Sequence, residues 1–294
     1  MADPTQGIPF VPWKLQVGET YVNRDGMLFE YTPVGSEELP ADGELITVLA
    51  MQMGRVLLFR DRSYITKSGP SVRRLEAEAM KLVAKYTSVP APEVIYTRFN
   101  DGHGTIAMTI IPGTTLEKHW EGLDDDDDEI KQSICRQIWE LLSQLRQIPQ
   151  KPELSHLFQC AADGSHTRDP MIEDFQQPAR PLETDLQLRT RIYERYIRCG
   201  GSRYKDQLFD MLPHSSSSVF THGDIAPRNI MVDERHQITG LVDWEYSGWY
   251  PDYWEYAQTL RPSCLNRDWQ AWMDATAPRK WDLSGINAAR RILF

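Results

Sequence analysis

The spacing of apolar residues changes once along this chain of 294 residues, and the change divides it into two regions. Before Pro112-Gly113, short apolar or β-branched runs are separated by glycine, aspartate and arginine turns, which is typical of antiparallel strands. After that point, the apolar residues recur with helical spacing. Strands followed by helices predict the α+β class. We therefore predict a small N-terminal lobe over residues 1–112 and a larger, mostly helical C-terminal lobe over residues 113–294.

The N-terminal region predicts an antiparallel sheet with one inserted helix. Strands are expected in the runs Gly26–Tyr31, Leu45–Met51, Arg55–Phe59, Tyr64–Lys67, Glu93–Arg98 and Thr105–Ile111. The helix follows from an apolar stripe at helical spacing that consists of Val72, Leu75, Ala79, Leu82, Val83 and Tyr86. Met53-Gly54 is expected to form a hairpin turn, and Ser71 is the expected N-cap of the helix.

The C-terminal region shows two helical patterns separated by an irregular segment. The acidic run Asp124–Asp128 precedes the first pattern, where its charges would complement the helix dipole. The second pattern runs from Glu183 to Met211. The segment Lys151–Pro181 between them is rich in proline and polar residues and has no sustained period. Such a long connection is typical of a lid, a binding loop or a disordered stretch.

Composition and charge exclude several classes of protein. The chain is 41% hydrophobic and 25% charged, which predicts a globular core rather than disorder. Its net charge of -10 disfavours nucleic-acid and membrane partners and favours a cationic or polyhydroxylated one. The widely spaced Cys135, Cys160, Cys199 and Cys264 predict free thiols in a reducing compartment. Without a targeting segment or a run of ~20 apolar residues, we expect a cytoplasmic protein.

Oxygen-bearing side chains cluster around a predicted β-hairpin in the C-terminal region. The stretch His222–Asn229 precedes one apolar run, and a second run beyond a polar turn ends at Asp243. Asn229 and Asp243 are equally far from the middle of the turn, so antiparallel pairing would bring them together. Asp224 lies on the loop that leads to the same end. Carboxylate and amide oxygens are ligands that magnesium prefers, with phosphates and water completing its shell.

These side chains match the needs of phosphoryl transfer. That reaction uses one carboxylate to orient or deprotonate the attacking hydroxyl, and an Asn and a second Asp to hold the metal against the phosphates. The alternative is a surface hairpin with unrelated polar residues.

The same stretch resembles the aminoglycoside phosphotransferase family, the small-molecule branch of the protein-kinase-like fold that includes choline and homoserine kinases. The resemblance covers about Leu45 to Leu260 and is carried by the motifs His222–Asn229, Val242–Tyr246 and Gly248–Tyr256. It implies a protein-kinase-like bilobal fold, with ATP or GTP and magnesium as cofactors.

The resemblance also implies the roles of individual residues in the C-terminal region. Asp224, Asn229 and Asp243 match the catalytic set, with Asp224 as the catalytic base and the other two as magnesium ligands. Glu255 resembles an acidic residue that anchors the catalytic loop. The aromatic residues from Trp244 to Tyr256 resemble the packed core of these relatives, although a cation-π wall for an amine substrate is an alternative.

In the N-terminal region, the resemblance implies a nucleotide site. Lys67 matches the lysine that contacts the α- and β-phosphates. Its partner carboxylate should lie on the following helix, where the spacing leaves Glu76 and Glu78 equivalent. Counting back from Val89-Pro90, as the family pattern does, favours Glu78.

The hinge and the phosphate-covering turn are less distinctive. Thr109 and Ile111 match the hinge whose backbone binds the adenine edge, but an ordinary strand end would also explain them. The turn that covers the phosphates offers only Gly54, whereas protein kinases use a glycine-rich turn.

These patterns favour a phosphotransferase that moves the γ-phosphoryl group of a magnesium-bound nucleoside triphosphate to a hydroxyl of a small molecule. The alternative is a kinase-like module that binds nucleotide but is catalytically silent. A protein kinase is disfavoured because no activation segment lies between Asp243 and Pro251.

Overall fold

The computed structural model describes residues 8–11, 14–31, 43–52, 54–124, 126–262 and 267–293. Met53, Asp125 and Cys264, predicted above in a turn, an acidic run and a set of free thiols, lie outside these residues. The chain divides into two compact units, one of residues 1–77 and 92–110 and the other of residues 78–91 and 111–294. The lobe boundary at residue 112 stays a prediction.

The first unit is built on an eight-stranded antiparallel sheet in the order β1-β3-β2-β4-β5-β6-β8-β7. Its strands are β1 (Ile8–Pro9), β2 (Thr20–Arg24), β3 (Met27–Glu30), β4 (Glu44–Gln52), β5 (Arg55–Arg60), β6 (Tyr64–Gly69), β7 (Val94–Asn100) and β8 (His103–Met108). Helix α1 (Arg74–Tyr86) is inserted between β6 and β7 along the chain. The predicted antiparallel sheet with one inserted helix is therefore confirmed.

Strands β2 and β3 form a hairpin, of which the strand prediction included only the second strand. Asp25 and Gly26 make its turn with φ angles of 51° and 83°, and Tyr21 pairs with Glu30 across it. Two successive positive φ angles define a type I′ turn, for which Asp-Gly is a preferred sequence. The dipeptide Asp25-Gly26 is thus the signal that would have revealed the hairpin.

Helix α1 begins at Arg74, so the prediction that Ser71 is its N-cap is wrong. The Ser71 hydroxyl instead donates to the main-chain carbonyl of Gly54 at 2.8 Å. Gly54 has φ +81°, a conformation that favours glycine. Ser71 therefore holds the turn between β4 and β5.

The second unit is mainly helical, as predicted, and also contains short strands. Its helices are α2 (Leu116–Trp120), α3 (Asp128–Leu145), α4 (Asp185–Arg198), α5 (Leu208–Met211), α6 (Trp254–Thr259), α7 (Arg267–Thr276) and α8 (Ser284–Leu293). Its strands are β9 (Thr114–Thr115), β10 (Cys160–Ala161), β11 (Ser218–Thr221), β12 (Ile230–Val232), β13 (Ile238–Leu241) and β14 (Gly248–Pro251). The strands form two small sheets in the orders β10-β14-β11 and β13-β12-β9. The α+β class is confirmed.

Among the described helices, none has both the length and the apolar character that a bilayer span requires.

The acidic run before α3 acts through its charge rather than by capping. Asp128 and Glu129 lie in the first turn, where negative side chains interact favourably with the helix dipole. Asp127 occupies the N-cap position, but its side chain makes no capping hydrogen bond.

The segment 151–181 is packed into the second unit, so the disordered alternative is wrong. Strand β10 within it pairs with β14, and Met171 and Ile172 are 0% and 1% exposed. The fully buried carboxylate of Asp174 pairs with Arg180 at 2.9 Å and with Arg191 at 3.1 Å. Isolated apolar residues and one buried ion-pair cluster hold this segment, and neither leaves a periodic pattern in the sequence.

The aromatic residues between Trp244 and Tyr256 belong to the core of the second unit, except for Tyr246, which is only partly buried. Trp244, Trp249, Tyr250, Tyr253 and Trp254 are at most 1% exposed. The rings of Tyr250 and Trp254 stack with their centroids 5.5 Å apart. The interpretation as core packing is confirmed, because an amine cage would require exposed ring faces.

Candidate active site

The loop between β11 and β12 carries the predicted catalytic motif. It passes through a single 3-10 turn, Pro227–Asn229, immediately before β12. Proline suits the first position of such a turn because its φ angle is already fixed near the helical value. The turn places Asn229 at the start of the hairpin strand, so its side chain is held by regular backbone structure.

Asn229 is locked against Asp224. Its Nδ2 donates to the main-chain carbonyl and to Oδ2 of Asp224, both at 2.9 Å. The two residues are only 4% and 5% exposed. The two donations identify the nitrogen end of the amide and leave Oδ1 as the end that can bind a cation.

The hairpin brings Asp243 to the same end with a register that differs from the prediction. The main-chain N–H of Val242 donates to the carbonyl of Asn229 at 2.9 Å, so Asn229 lies opposite Val242 rather than Asp243. The cause is the position of the turn, because Val232 pairs with Ile238 and the turn is therefore centred on residue 235 rather than 236. An irregularity in the pairing between residues 231 and 232 moves the register only one residue back towards the predicted one. Asp243 follows with φ 66°. A left-handed conformation at a non-glycine residue costs free energy and is often retained at functional sites.

His222 connects the two segments that carry these side chains. The ring is fully buried; its Nδ1 accepts from the main-chain N–H of Asp224 at 3.2 Å, and its Nε2 donates to the carbonyl of Val242 at 3.1 Å. Burial lowers the pKa of His222, although the charges of Asp224 and Asp243 act in the opposite direction. His222 is therefore a neutral positioning residue.

Glu255 of α6 holds the start of the loop, as the resemblance implied. Its carboxylate accepts from the main-chain N–H groups of His222 at 2.6 Å and Gly223 at 3.1 Å. Gly223 has φ +84°, and a Cβ there would lie 2.7 Å from the carbonyl oxygen of Tyr246. Burial raises the pKa of Glu255 to about 7, against the effect of the two hydrogen bonds.

We expect Glu255→Gln to reduce the pH dependence of stability. The native state keeps the proton of this carboxyl between its ordinary pKa of 4.5 and about 7, where the unfolded state has released it. The stability that Glu255 contributes is therefore present below its ordinary pKa and is lost as the pH rises through about 7. Chemical denaturation at about pH 5 and about pH 8 measures how far the free energy of unfolding falls between the two pH values. This fall should be smaller in Glu255→Gln than in the native protein, by up to about 3 kcal/mol. The exposed Glu153, changed to Gln, is the control, and an equal loss in both variants would contradict the assignment.

Two arginines bind the carboxylate of Asp224. Arg228 contacts Oδ2 and Arg261 contacts Oδ1, each at 2.5 Å. Sequence reasoning missed both, because the motif assigns no role to the position of Arg228 and Arg261 lies 37 residues away from Asp224. No spacing rule relates Arg261 to the motif. Together with Asn229, the arginines fix both oxygens of Asp224.

In the first unit, Lys67 pairs with Glu76. Its Nζ lies 2.8 Å from Oε1 of Glu76, and the two side chains are 5% and 3% exposed. The prediction of Glu78 as the partner is wrong: Glu78 is one-third exposed and pairs with Lys81 at 3.0 Å. Residues two apart on a helix point about 200° apart around its axis, so only one of the two glutamates can face Lys67.

The two predicted hinge residues have different environments. The main-chain N–H of Thr109 donates to the carbonyl of Glu93 at 3.0 Å, and its hydroxyl accepts from the N–H of Glu93 at 2.9 Å. Ile111 packs close to Gly240, where an added Cβ would lie 2.7 Å from its side chain. The nucleotide-binding role of Thr109 and Ile111 stays a prediction.

The donor set fits magnesium. Across the described ranges, no cluster of three or more His, Cys, Asp or Glu side chains is arranged to bind a metal ion. A magnesium ion bound together with phosphates does not need such a cluster, because one or two protein carboxylates suffice. The oriented Oδ1 of Asn229 and the carboxylate of Asp243 are suitable hard-oxygen ligands.

The mixed α+β fold and the buried Asp224 beside Asn229 are features expected of a phosphotransferase. The sequence profile of the phosphotransferase enzyme family matches residues 55–283, which is more than half of the chain. This protein therefore belongs to that family.

The solved structures that resemble this chain include two of an aminoglycoside phosphotransferase from Streptomyces rimosus, and each alignment covers 84% of this chain and 90% of that chain. The first is 15% identical with a TM-score of 0.48. The second, a complex with ADP and streptomycin, is 14% identical with a TM-score of 0.43. No curated protein sequence matches the chain.

Proposed function

We propose that this phosphotransferase moves the γ-phosphoryl group of a magnesium-bound nucleoside triphosphate, ATP or GTP, to a hydroxyl group of a small molecule. The observation that carries the proposal is the double donation from Asn229 to Asp224, which leaves an amide oxygen for a cation beside a buried carboxylate. Phosphoryl transfer requires this combination of a metal ligand and a group that receives the hydroxyl proton.

Asp224 orients the acceptor hydroxyl and takes its proton as the new O–P bond forms. The bond between the γ-phosphorus and the bridging oxygen breaks, and the nucleoside diphosphate leaves. An ionised carboxylate offers about four acceptor positions. Arg228, Asn229 and Arg261 each donate to one, so a position remains for the hydroxyl.

The other proposed roles concern the triphosphate. Asn229 and Asp243 hold magnesium, which when bound neutralises charge on the phosphates. Lys67, oriented by Glu76, binds the α- and β-phosphates. Because the N–H of Thr109 is already bonded to Glu93, its carbonyl and the main chain of Ile111 are the groups proposed for the adenine edge.

The alternative is a nucleotide-binding module without turnover. Arginines bind both oxygens of Asp224 and compete with a substrate for the carboxylate, which favours a module that binds nucleotide without turnover. Binding of triphosphate followed by slow consumption would support the phosphotransferase, and binding without any consumption would support the module.

Magnesium-dependent binding of triphosphate should depend on Asp243. We expect Asp243→Asn to weaken the binding of a non-hydrolysable triphosphate about tenfold or more in the presence of magnesium, because a charged ligand of the metal is lost. Calorimetric titration with and without magnesium measures the effect. Asp206→Asn, at an exposed position of the same unit, is the control. Affinity that is the same with and without magnesium, or the same in both variants, would refute the assignment.

A further inference from the structure

A cavity of about 140 Å³ lies beside the catalytic loop in the second unit. Its polar wall includes Glu117, Arg228, Gln258 and Arg261, and the buried Trp269 forms part of its apolar wall. The two arginines of this wall are the ones that bind the carboxylate of Asp224. A molecule in the cavity would therefore lie next to the group that receives the hydroxyl proton.

Arg228 and Arg261 keep most of their hydrogen-bonding capacity. In the described part of the chain, each side chain donates one hydrogen bond, to Asp224, out of the five N–H groups of a guanidinium. Their side chains are 49% and 35% exposed. A guanidinium with free N–H groups matches the geometry of carboxylates and phosphates, which it can bind through two parallel hydrogen bonds.

A third arginine adds positive charge behind this wall. Arg290 of α8 is 5% exposed, and its Nη2 donates to Oε1 of Gln258 at 3.0 Å. Its Nε and Nη1 have no hydrogen-bond partner among the residues that the structure describes. Burial lowers the pKa of Arg290 to about 10, with Asp169 opposing this shift and the charge of Arg261 adding to it. Arg261 and Arg290 are thus close enough to repel each other.

The neighbouring acids only partly balance these cations. Asp169 accepts from Nε2 of Gln258 at 2.6 Å, and burial raises its pKa, which disfavours its charged form. The carboxylate of Asp224 is shared by two arginines, and Glu117 is the acid that remains on the wall. This local excess of guanidinium groups contrasts with the net charge of -10 of the whole chain.

We infer that this cavity binds an anionic group, a carboxylate or a phosphate, that the acceptor carries close to the hydroxyl it presents to Asp224. The inference rests on the proposed function and narrows its substrate class. Arg228 and Arg261 bind the anion through the N–H groups that Asp224 does not use. The net charge of the chain favoured a cationic or polyhydroxylated partner, whereas the charges beside Asp224 favour an anionic one.

Acceptors that differ only in charge provide the test. Glycolate, glycolamide and ethanolamine share a terminal hydroxyl and carry a negative, a neutral and a positive group beside it. Glycerol phosphate and glycerol form a second pair, which separates phosphate from carboxylate recognition. We expect the anionic members to stimulate magnesium-dependent triphosphate consumption about tenfold more than their neutral or cationic counterparts.

Arg261→Gln should raise the KM for the anionic acceptors about tenfold or more, because a charge-assisted hydrogen bond is lost. Basal consumption of triphosphate by water reports separately on the catalytic residues. Arg279→Gln is the matched control, because Arg279 is an exposed arginine of the same unit that pairs with Asp252 at 3.0 Å.

Preferential stimulation by neutral or cationic members, no stimulation by any anionic member, or an unchanged KM in Arg261→Gln would overturn the inference. Each of these results leaves the phosphotransferase function standing as long as the native protein consumes triphosphate with magnesium. Absence of both magnesium-dependent triphosphate binding and triphosphate consumption would instead remove the proposed function, and the acceptor inference with it.

Discussion

Replacing Asp224 by asparagine is expected to lower the rate of triphosphate-dependent phosphorylation by about a thousandfold, because an amide cannot take the proton of the attacking hydroxyl. Triphosphate binding should change little, since we assign the metal and phosphates to other side chains. Steady-state consumption and calorimetric titration with a non-hydrolysable triphosphate measure the two effects separately.

Asp224→Asn also removes the ion pairs of Asp224 with Arg228 and Arg261, and a second variant controls for this loss. Asp252→Asn also removes a carboxylate that pairs with an arginine, and its side chain is only 13% exposed. We expect Asp252→Asn to retain activity. Chemical denaturation of both variants shows whether either of them has lost stability. If Asp224→Asn kept more than about a tenth of the native rate, its role as the proton acceptor would be refuted.

The second large effect is expected at the pair Lys67–Glu76. Glu76→Gln removes the charge that faces a buried ammonium group at 2.8 Å. Breaking a buried ion pair by removing one partner costs about 3 kcal/mol or more. We therefore expect Glu76→Gln to lower the free energy of unfolding by that amount and to weaken triphosphate binding, because Lys67 loses its orientation. Chemical denaturation and calorimetric titration measure these changes.

Glu78→Gln is the matched control, two residues along the same helix. Glu78 is one-third exposed and pairs with the exposed Lys81, an interaction worth about 1 kcal/mol or less. We expect this variant to resemble the native protein in both measurements. Similar losses in the two variants, or a larger loss in Glu78→Gln, would contradict the assignment of Glu76.

The α+β class was predictable because apolar periodicity is a local property, and the change at Pro112-Gly113 is pronounced. Local signals were also sufficient for the hairpin of β12 and β13. The Asp25-Gly26 turn carried an equally local signal. The order of the segment 151–181 was not predictable, because isolated contacts of Met171, Ile172 and Asp174 with distant elements hold it.

In the candidate site, too, some features follow from local sequence and others depend on the tertiary structure. The proximity of Asp224 and Asn229 follows from a short motif, because they are five positions apart along the chain and one turn connects them. The register around Asp243 depends on where the turn is centred and on an irregularity inside the hairpin, and no residue type indicates either. Arg261 reaches Asp224 only through the tertiary packing of the unit.

The choice between Glu76 and Glu78 as the partner of Lys67 could not be made from helical periodicity. Both flank the apolar stripe of α1 on opposite sides, so periodicity weighs them equally. Glu76 pairs with Lys67 because of where the sheet lies against the helix, and the periodicity of the sequence carries no information about that position.

The most direct test of the account follows the phosphoryl group itself. The protein is incubated with magnesium, a triphosphate labelled at the γ-phosphorus and a protein-free extract of small metabolites, with Asp224→Asn as the blank. We predict that the label moves into a small organic product with the native protein and not with the variant. Label found only in inorganic phosphate, in protein, or in equal amounts of product with both would contradict a phosphotransferase that uses Asp224 to phosphorylate a small-molecule hydroxyl.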